Sequence, residues 1–266
     1  MTLLVADAGA TTLLVPDPNP EASSGGNDSD VTASVGCGVP SRLGDFGHAP
    51  SRPTEAHRKW DPTLEQMSSV RRGLGVLGGT FDPPHIGHIA AAVEVREALR
   101  LERVLLMVAN EPWQKVDERR ITPAGDRVAM TSAAIEGIDG LAVSDLEIHR
   151  GGPTYTIDTL EQLRRSEPQH ELFLIVGADA AAGLVTWHRH EDLPDLATLV
   201  IVDRSGETPS ELPSGWNVER VTMPRLDVSS SDLRDRVRHG RALTPYLAPG
   251  VIDVIAERGL YGLATS

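Results

Sequence analysis

Beyond residue 70, apolar residues fall into two kinds of segment that alternate along the chain. Short runs that are apolar almost throughout read as strands: residues 73–77, 103–108, 172–176 and 198–202, with Val218–Met223 a further candidate and 141–148 partly alternating. Segments with helical spacing lie between or after them: residues 88–100, 124–136, 156–165, Ser230–Arg238 and Pro249–Glu257. In 124–136 the positions Val128, Ala129, Ser132 and Ile135 fall on one face. Wholly apolar strands that alternate with helices predict a parallel sheet covered on both sides. Such sheets bind ligands at the carboxyl ends of their strands, so residues that directly follow a strand carry the most weight.

Residues 1–70 hold neither period. They are rich in Ala, Ser, Gly, Pro, Asp and Thr, as in Pro18-Asn19-Pro20-Glu21-Ala22-Ser23-Ser24-Gly25-Gly26. Such a segment buries too little apolar surface to offset its ordering entropy. It predicts a disordered extension, 1–70, before one folded domain, 71–266. A regulatory or partner-binding tail is the functional alternative. Met67 stands just before the first strand and offers another translation start. Native peptides from residues 1–60, seen by mass spectrometry, would exclude that start.

The 266 residues are 40% hydrophobic, enough for a buried core. No uncharged apolar run reaches about 18 residues, so no membrane span is expected. The first residues lack a basic lead and are interrupted by Asp7, which argues against a secretory signal. Cys37 is the single cysteine and reads as a free thiol in a reducing cytoplasm. A net charge of −13 argues against a general nucleic-acid binder, which needs a basic face. Small anionic ligands remain open to it, because local donors decide those.

Directly after the first strand comes Gly78-Gly79-Thr80-Phe81-Asp82-Pro83-Pro84-His85-Ile86-Gly87-His88, which opens a helix. Gly78 and Gly79 permit close backbone approach and positive φ. N–H groups at a helix start favour an anion. His85 and His88 are three residues apart, so both imidazoles reach one side and, partly protonated beside phosphates, donate to triphosphate oxygens. A lone histidine here reads as a cap or as packing for the helix, but a Gly pair, a Pro pair and His-Ile-Gly-His coincide. A zinc site lacks a Cys- or His-rich segment to complete it. Neither the dinucleotide Gly pattern nor a P-loop is present. Near the end comes Val228-Ser229-Ser230-Ser231-Asp232-Leu233-Arg234. One hydroxyl suffices to cap a helix; three, with Arg234 a turn further in, supply surplus donors for a phosphate.

The first of these segments resembles the signature of the HIGH-type nucleotidyltransferases. That superfamily includes the adenylyltransferases of NAD, coenzyme A and FAD synthesis, some cytidylyltransferases and the class I aminoacyl-tRNA synthetases. The second resembles the Ile-Ser-Ser-Thr-x-x-Arg motif of the adenylyltransferase branch, with Val228 in place of Ile and Ser231 in place of Thr. The chain has no Lys-Met-Ser-Lys-Ser and no room for a tRNA-binding domain, which argues against a synthetase. Further segments resemble bacterial nicotinate-nucleotide adenylyltransferases: Asn110-Glu111-Pro112-Trp113-Gln114-Lys115, Gly151-Gly152-Pro153-Thr154-Tyr155-Thr156-Ile157-Asp158-Thr159-Leu160, Gly177-Ala178-Asp179-Ala180 and Thr186-Trp187-His188-Arg189. The fold class expected is α/β, a Rossmann-like doubly wound parallel sheet with helices on both faces, preceded by the disordered N-terminal extension.

The resemblance implies transfer of AMP from ATP to nicotinate mononucleotide, giving deamido-NAD and pyrophosphate, with Mg²⁺ bridging phosphates. It implies an ATP site of Gly78, Gly79, Thr80, Phe81, His85, His88, Gly177, Asp179, Ser230, Ser231 and Arg234, of which His85, His88 and Arg234 are catalytic. The implied acceptor site is Lys115, Tyr155, Thr156 and Trp187. Trp187 offers a flat partner for the pyridine, N–H groups around Tyr155 and Thr156 take the carboxylate, and Lys115, the only lysine of the folded part, suits a phosphate. The acceptor phosphate is already an anionic nucleophile, so neither a general base nor a covalent intermediate is expected. Alternative acceptors are nicotinamide mononucleotide and phosphopantetheine; His85 stands where enzymes for the latter usually carry Thr. A non-catalytic nucleotide sensor is the rival from another class. No nucleic-acid or membrane partner is expected, the location expected is the cytoplasm, and a homo-oligomer stays open.

Overall fold

The computed structural model describes residues 71–111, 121–204 and 214–262. The strands are β1 (Arg71–Gly79), β2 (Leu101–Val108), β3 (Leu141–Ser144), β4 (Glu171–Gly177), β5 (Thr198–Arg204) and β6 (Val218–Met223). They form one sheet in the order β3-β2-β1-β4-β5-β6, with every neighbouring pair parallel. The helices are α1 (Ile86–Leu99), α2 (Ala124–Ala134), α3 (Leu146–Arg150), α4 (Thr156–Ser166), α5 (Ala178–Ala182), α6 (Ser230–Arg238) and α7 (Pro249–Glu257). The chain winds outward through β2 and β3, returns to the middle at β4, and winds out the other way. This is the doubly wound order, and β1 and β4 flank the switch point at which such sheets bind ligands.

Alternation along each strand sends side chains to opposite faces. On one face Leu74, Val76, Leu172, Leu174 and Val176 pack with Ile157, Leu160 and Leu163 of α4. On the other, Leu77, Val104, Phe173 and Ile175 pack with Ala91, Ala92 and Val95 of α1. A third cluster joins α2 to the two last helices through Met130, Leu233, Val237, Val251 and Ile255. This cluster carries α6 back toward the start of the folded region. Among the described residues no helix is long and apolar enough to cross a membrane.

Two local expectations fail. β3 stops at Ser144, and Leu146–Arg150 is helical where a continuing strand is expected. The Ser144 hydroxyl accepts from the Leu146 N–H at 3.4 Å, and the His149 N–H donates to the Asp145 carbonyl at 3.0 Å. These local bonds draw the backbone away from the ladder. The segment beginning at Gly151 therefore follows a helix, not a strand. The buried face of α2 consists of Arg127, Met130, Thr131 and Ala134, while Ser132 is exposed. Of the expected face, Val128 and Ile135 do pack against the sheet cluster; an apolar count puts Arg127 outside, and its burial shifts the buried stripe by about one position. The expected extension over 1–70, the alternative start at Met67, and Trp113 and Lys115 lie outside the described residues.

Candidate active site

The chain leaves β1 at Gly79 and turns at Phe81, whose φ of 50° is left-handed. Positive φ thus falls on Phe81, not on Gly78 or Gly79. Gly79 supplies space instead: a Cβ there would sit 2.8 Å from the Phe81 ring. That ring meets the His88 imidazole edge-on at 5.1 Å. His85 is the N-cap of α1, and its Nδ1 accepts from the Gly87 N–H at 3.2 Å. In return the His85 N–H donates to His88 Nδ1 at 3.1 Å. The two rings stack with centroids 3.8 Å apart.

The histidines therefore do cap the helix, but capping uses Nδ1 alone. An accepting Nδ1 selects the neutral tautomer with its hydrogen on Nε2. In that tautomer each ring presents an Nε2–H donor. Stacking at 3.8 Å opposes charging both rings at once. Partial protonation, expected from the sequence, is not needed for donation. The helix start is likewise not the backbone anion site expected of it. The Ile86 N–H donates to the Tyr246 carbonyl at 2.9 Å, and the Gly87 and His88 N–H groups both bond back to His85.

Helix α6 brings the hydroxyl segment onto the same loop. Ser229 takes the capping role, accepting from the Asp232 N–H at 3.1 Å. This leaves its neighbours for other contacts. The Ser230 hydroxyl donates to the Pro83 carbonyl at 2.9 Å. Arg234 donates from Nη1 to the Asp82 carbonyl at 2.7 Å and from Nη2 to Ser231 Oγ at 2.9 Å. Both motifs are buried where they meet. Tyr261 supports the junction, its hydroxyl donating to Asp82 Oδ1 at 2.8 Å. Burial first, and then the Asp82 carboxylate, push the Tyr261 phenol far above its ordinary value, so it remains a donor.

Sequence alone passes over Arg127. It is 1% exposed, and it donates to four backbone carbonyls. These are Thr80 (2.9 Å) and Ala109 (2.7 Å) from Nη1, Asn110 (3.1 Å) from Nη2 and Thr122 (2.8 Å) from Nε. One side chain thus ties the loop after β1 to the loop after β2. Its signal lies in the spacing of 127, 130, 131 and 134, a helical stripe in which the arginine takes a core position. Nearby, the buried Thr80 hydroxyl has no hydrogen-bond partner among the described residues.

Across the switch point, β4 runs into Gly177, the N-cap of α5, with Asp179 exposed in the first turn. The segment before α4 is braced from β2: the Asn110 N–H donates to Thr154 Oγ1 at 3.1 Å and its Nδ2 to the Gly152 carbonyl at 3.0 Å. Tyr155 is the N-cap of α4 and makes no side-chain cap bond; Thr156 follows, buried, as the first helical residue. The Tyr155 ring lies tilted on exposed His188 at 4.4 Å. Trp187 is 5% exposed and packs in the core cluster that joins β4 to α4. The structure thus gathers Thr80, Phe81, His85, His88, Ser230, Ser231 and Arg234 around one loop. Gly177 and Asp179 end the adjoining strand, and Tyr155, Thr156 and Trp187 belong to a second group around the start of α4. Among the described residues no three His, Cys, Asp or Glu side chains group to hold a metal.

Beneath that second group lies Glu147, 5% exposed on α3, with the Thr159 hydroxyl donating to Oε1 at 2.7 Å. Burial raises its pKa from 4.5 to about 7, opposed by hydrogen bonding from Thr159, the charge of Arg150 and hydrogen bonding from Thr154. The unfolded carboxyl ionises near 4.5 and the folded one near 7, so the folded protein holds an extra proton between them. This contribution to stability is complete below pH 4.5 and is lost as pH rises through 7. At about 1.4 kcal/mol per tenfold change in proton affinity, the loss is roughly 3 kcal/mol at most. Urea unfolding of Glu147→Gln between pH 5 and 7.5 is expected to show a shallower decline than the wild type. Parallel profiles would remove Glu147 as the cause.

Comparison with known proteins groups this chain consistently. Residues 76–236 match the cytidylyltransferase-like family. A protein of Frankia casuarinae, named a probable nicotinate-nucleotide adenylyltransferase, is 47% identical over 189 residues, covering 70% of this chain and 98% of the relative. One of the same name from Corynebacterium kroppenstedtii is 44% identical over 199 residues, covering 74% and 94%. Among solved structures, the nicotinic acid mononucleotide adenylyltransferase of Plasmodium falciparum complexed with NaAD aligns with a TM-score of 0.61 at 19% identity. The alignment covers 73% of this chain and 99% of that one, and it supports the fold.

Proposed function

Because the chain belongs to the nicotinate-nucleotide adenylyltransferases, within the cytidylyltransferase-like family, we infer that it transfers AMP from ATP to nicotinate mononucleotide in NAD biosynthesis. The products are deamido-NAD and pyrophosphate. The observation that carries the inference is the junction of two distant motifs. Arg234 on Asp82 and Ser230 on Pro83 set guanidinium and hydroxyl groups beside the stacked His85 and His88.

The acceptor 5′-phosphate attacks the α-phosphorus of ATP in line, and the bond to pyrophosphate breaks. The attacking phosphate is anionic at pH 7, so the protein needs no base. It must supply position, and donors aimed at charge as it moves onto the leaving pyrophosphate. We assign that work to the Nε2–H groups of His85 and His88 together with Ser230, Ser231 and Arg234. Gly78, Gly79, Thr80 and Phe81 line the triphosphate, a place that suits the unpartnered Thr80 hydroxyl. Gly177 and Asp179 take the ribose, whose hydroxyls a carboxylate accepts from. Imidazole N–H, hydroxyl and guanidinium groups suit phosphate oxygens and not a cation. We therefore place Mg²⁺ on the triphosphate, as part of the substrate, where it neutralises phosphate charge.

For the acceptor, the start of α4 offers N–H groups with no side-chain cap from Tyr155, which suits a nicotinate carboxylate near Tyr155 and Thr156. Trp187 and Lys115 are assigned to the pyridine and the phosphate. Trp187→Leu, which keeps an apolar side chain in the core, is expected to raise KM for nicotinate mononucleotide several-fold while KM for ATP holds. Equal rises in both would assign the loss to core packing. The function itself is tested by pyrophosphate release from ATP with nicotinate mononucleotide, nicotinamide mononucleotide and phosphopantetheine in turn. The highest kcat/KM is expected with the first; turnover with none would leave a nucleotide sensor.

A further inference from the structure

We propose that Glu147 is a positioning residue for the acceptor subsite. Its buried side chain anchors the first turn of α4 through Thr159, with Thr154 held from β2 at the other end of the segment, and so fixes the Tyr155 and Thr156 backbone that meets the acceptor. The proposal rests on the function inferred above.

Glu147 lies on α3, a helix the chain forms in place of the end of a strand. Glu147 is 5% exposed, and the hydroxyl group its carboxyl receives comes from the helix that follows. Thr159, one turn inside α4, donates to Oε1 at 2.7 Å. Thr154, the residue before the N-cap, lies close enough to the same carboxyl group to lower its pKa. Between these anchors lie only Tyr155, Thr156, Ile157 and Asp158. Each anchor is itself held. Thr154 Oγ1 accepts the Asn110 N–H at 3.1 Å, which ties it to the end of β2. Thr159 Oγ1 accepts from Arg150 Nη2 at 3.1 Å, and for its single hydrogen Glu147 Oε1 at 2.7 Å is a nearer acceptor than the Tyr155 carbonyl at 3.3 Å. A carboxyl oxygen satisfies that hydroxyl donor; an apolar side chain does not. An apolar residue of similar volume would avoid the cost of burying a carboxyl group. A position beside the hydroxyl of Thr159, with Thr154 on the other side of the helix start, accounts for the acid.

The test uses the full chain, with KM for nicotinate mononucleotide and KM for ATP measured separately by pyrophosphate release. Displacement of a binding segment by about 1 Å costs up to ~10²-fold, so Glu147→Leu is expected to raise the acceptor KM ~10- to 100-fold. KM for ATP should stay within about twofold, because its proposed ligands lie on β1 and the loop after it, on α1 and α6, and where β4 meets α5, not on α3 or α4. Glu147→Gln keeps one carbonyl acceptor and should fall between wild type and the leucine variant. Thr159→Val, nearly isosteric, should raise the acceptor KM by ~10-fold, and it carries the test if Glu147→Leu fails to fold. An active wild type whose variants keep the acceptor KM, or raise both KM values together, would overturn this proposal alone. A wild type inactive with nicotinate mononucleotide would overturn the functional inference and this proposal with it.

Discussion

His88→Asn is expected to lower kcat by ~10²–10³ while the protein stays folded, the usual loss for one well-placed donor to developing charge. Asparagine Oδ1 lies roughly where the imidazole Nδ1 lies, so it still accepts from the His85 N–H and the helix cap survives. The Nε2–H has no counterpart in asparagine. The variant thus separates the helix cap from the donor role proposed for the same ring. His88→Ala removes both, along with the edge contact to Phe81, and is expected to add about 1 kcal/mol of instability to the same loss of rate. Steady-state pyrophosphate release and thermal unfolding, measured on both variants, check the separation. A folded asparagine variant with near-normal kcat would contradict the donor role.

Arg127→Met is expected to destabilise the folded domain by about 3–5 kcal/mol, as breaking a buried charged network does. The carbonyls of Thr80, Ala109, Asn110 and Thr122 all lose a donor. Each buried group left unsatisfied costs about 1–3 kcal/mol, and relaxation keeps the total below a simple sum. Arg127→Lys retains the charge, but an ammonium group has three hydrogens on one nitrogen and cannot reproduce a planar fork over four carbonyls. It is expected to recover less than half of the loss. Because Thr80 precedes the histidine loop and Asn110 braces Thr154, kcat and acceptor KM should worsen in the lysine variant as well. Urea unfolding decides the matter: a loss under about 1 kcal/mol for the methionine variant would make the contacts incidental.

Much of this fold is legible in the chain because a strand buried on both faces must be apolar throughout. The boundaries of β6, α6 and α7 follow from the sequence as well. β3 misleads because Leu146 and Ile148 extend its apolar pattern across a serine whose hydroxyl closes a local turn instead. The face of α2 misleads because a buried arginine reads as a surface one. The same physics divides the site residues. Paired histidines and three successive hydroxyls stand out, since each exceeds what a helix cap requires. Arg127, Glu147 and Tyr261 do not stand out. Their partners are backbone carbonyls, a threonine hydroxyl and one distant aspartate, and a carbonyl has no sequence identity to recognise. Trp187 shows the converse: its type marks a flat surface for a ring, and only packing reveals that it lies in the core.

A crystal structure with a non-hydrolysable ATP analogue tests the central claim most directly. The phosphate oxygens are expected within about 3 Å of Nε2 of both His85 and His88, and of Ser230, Ser231 or Arg234 as well. A triphosphate bound elsewhere on the sheet, or one touching neither imidazole, would contradict the account.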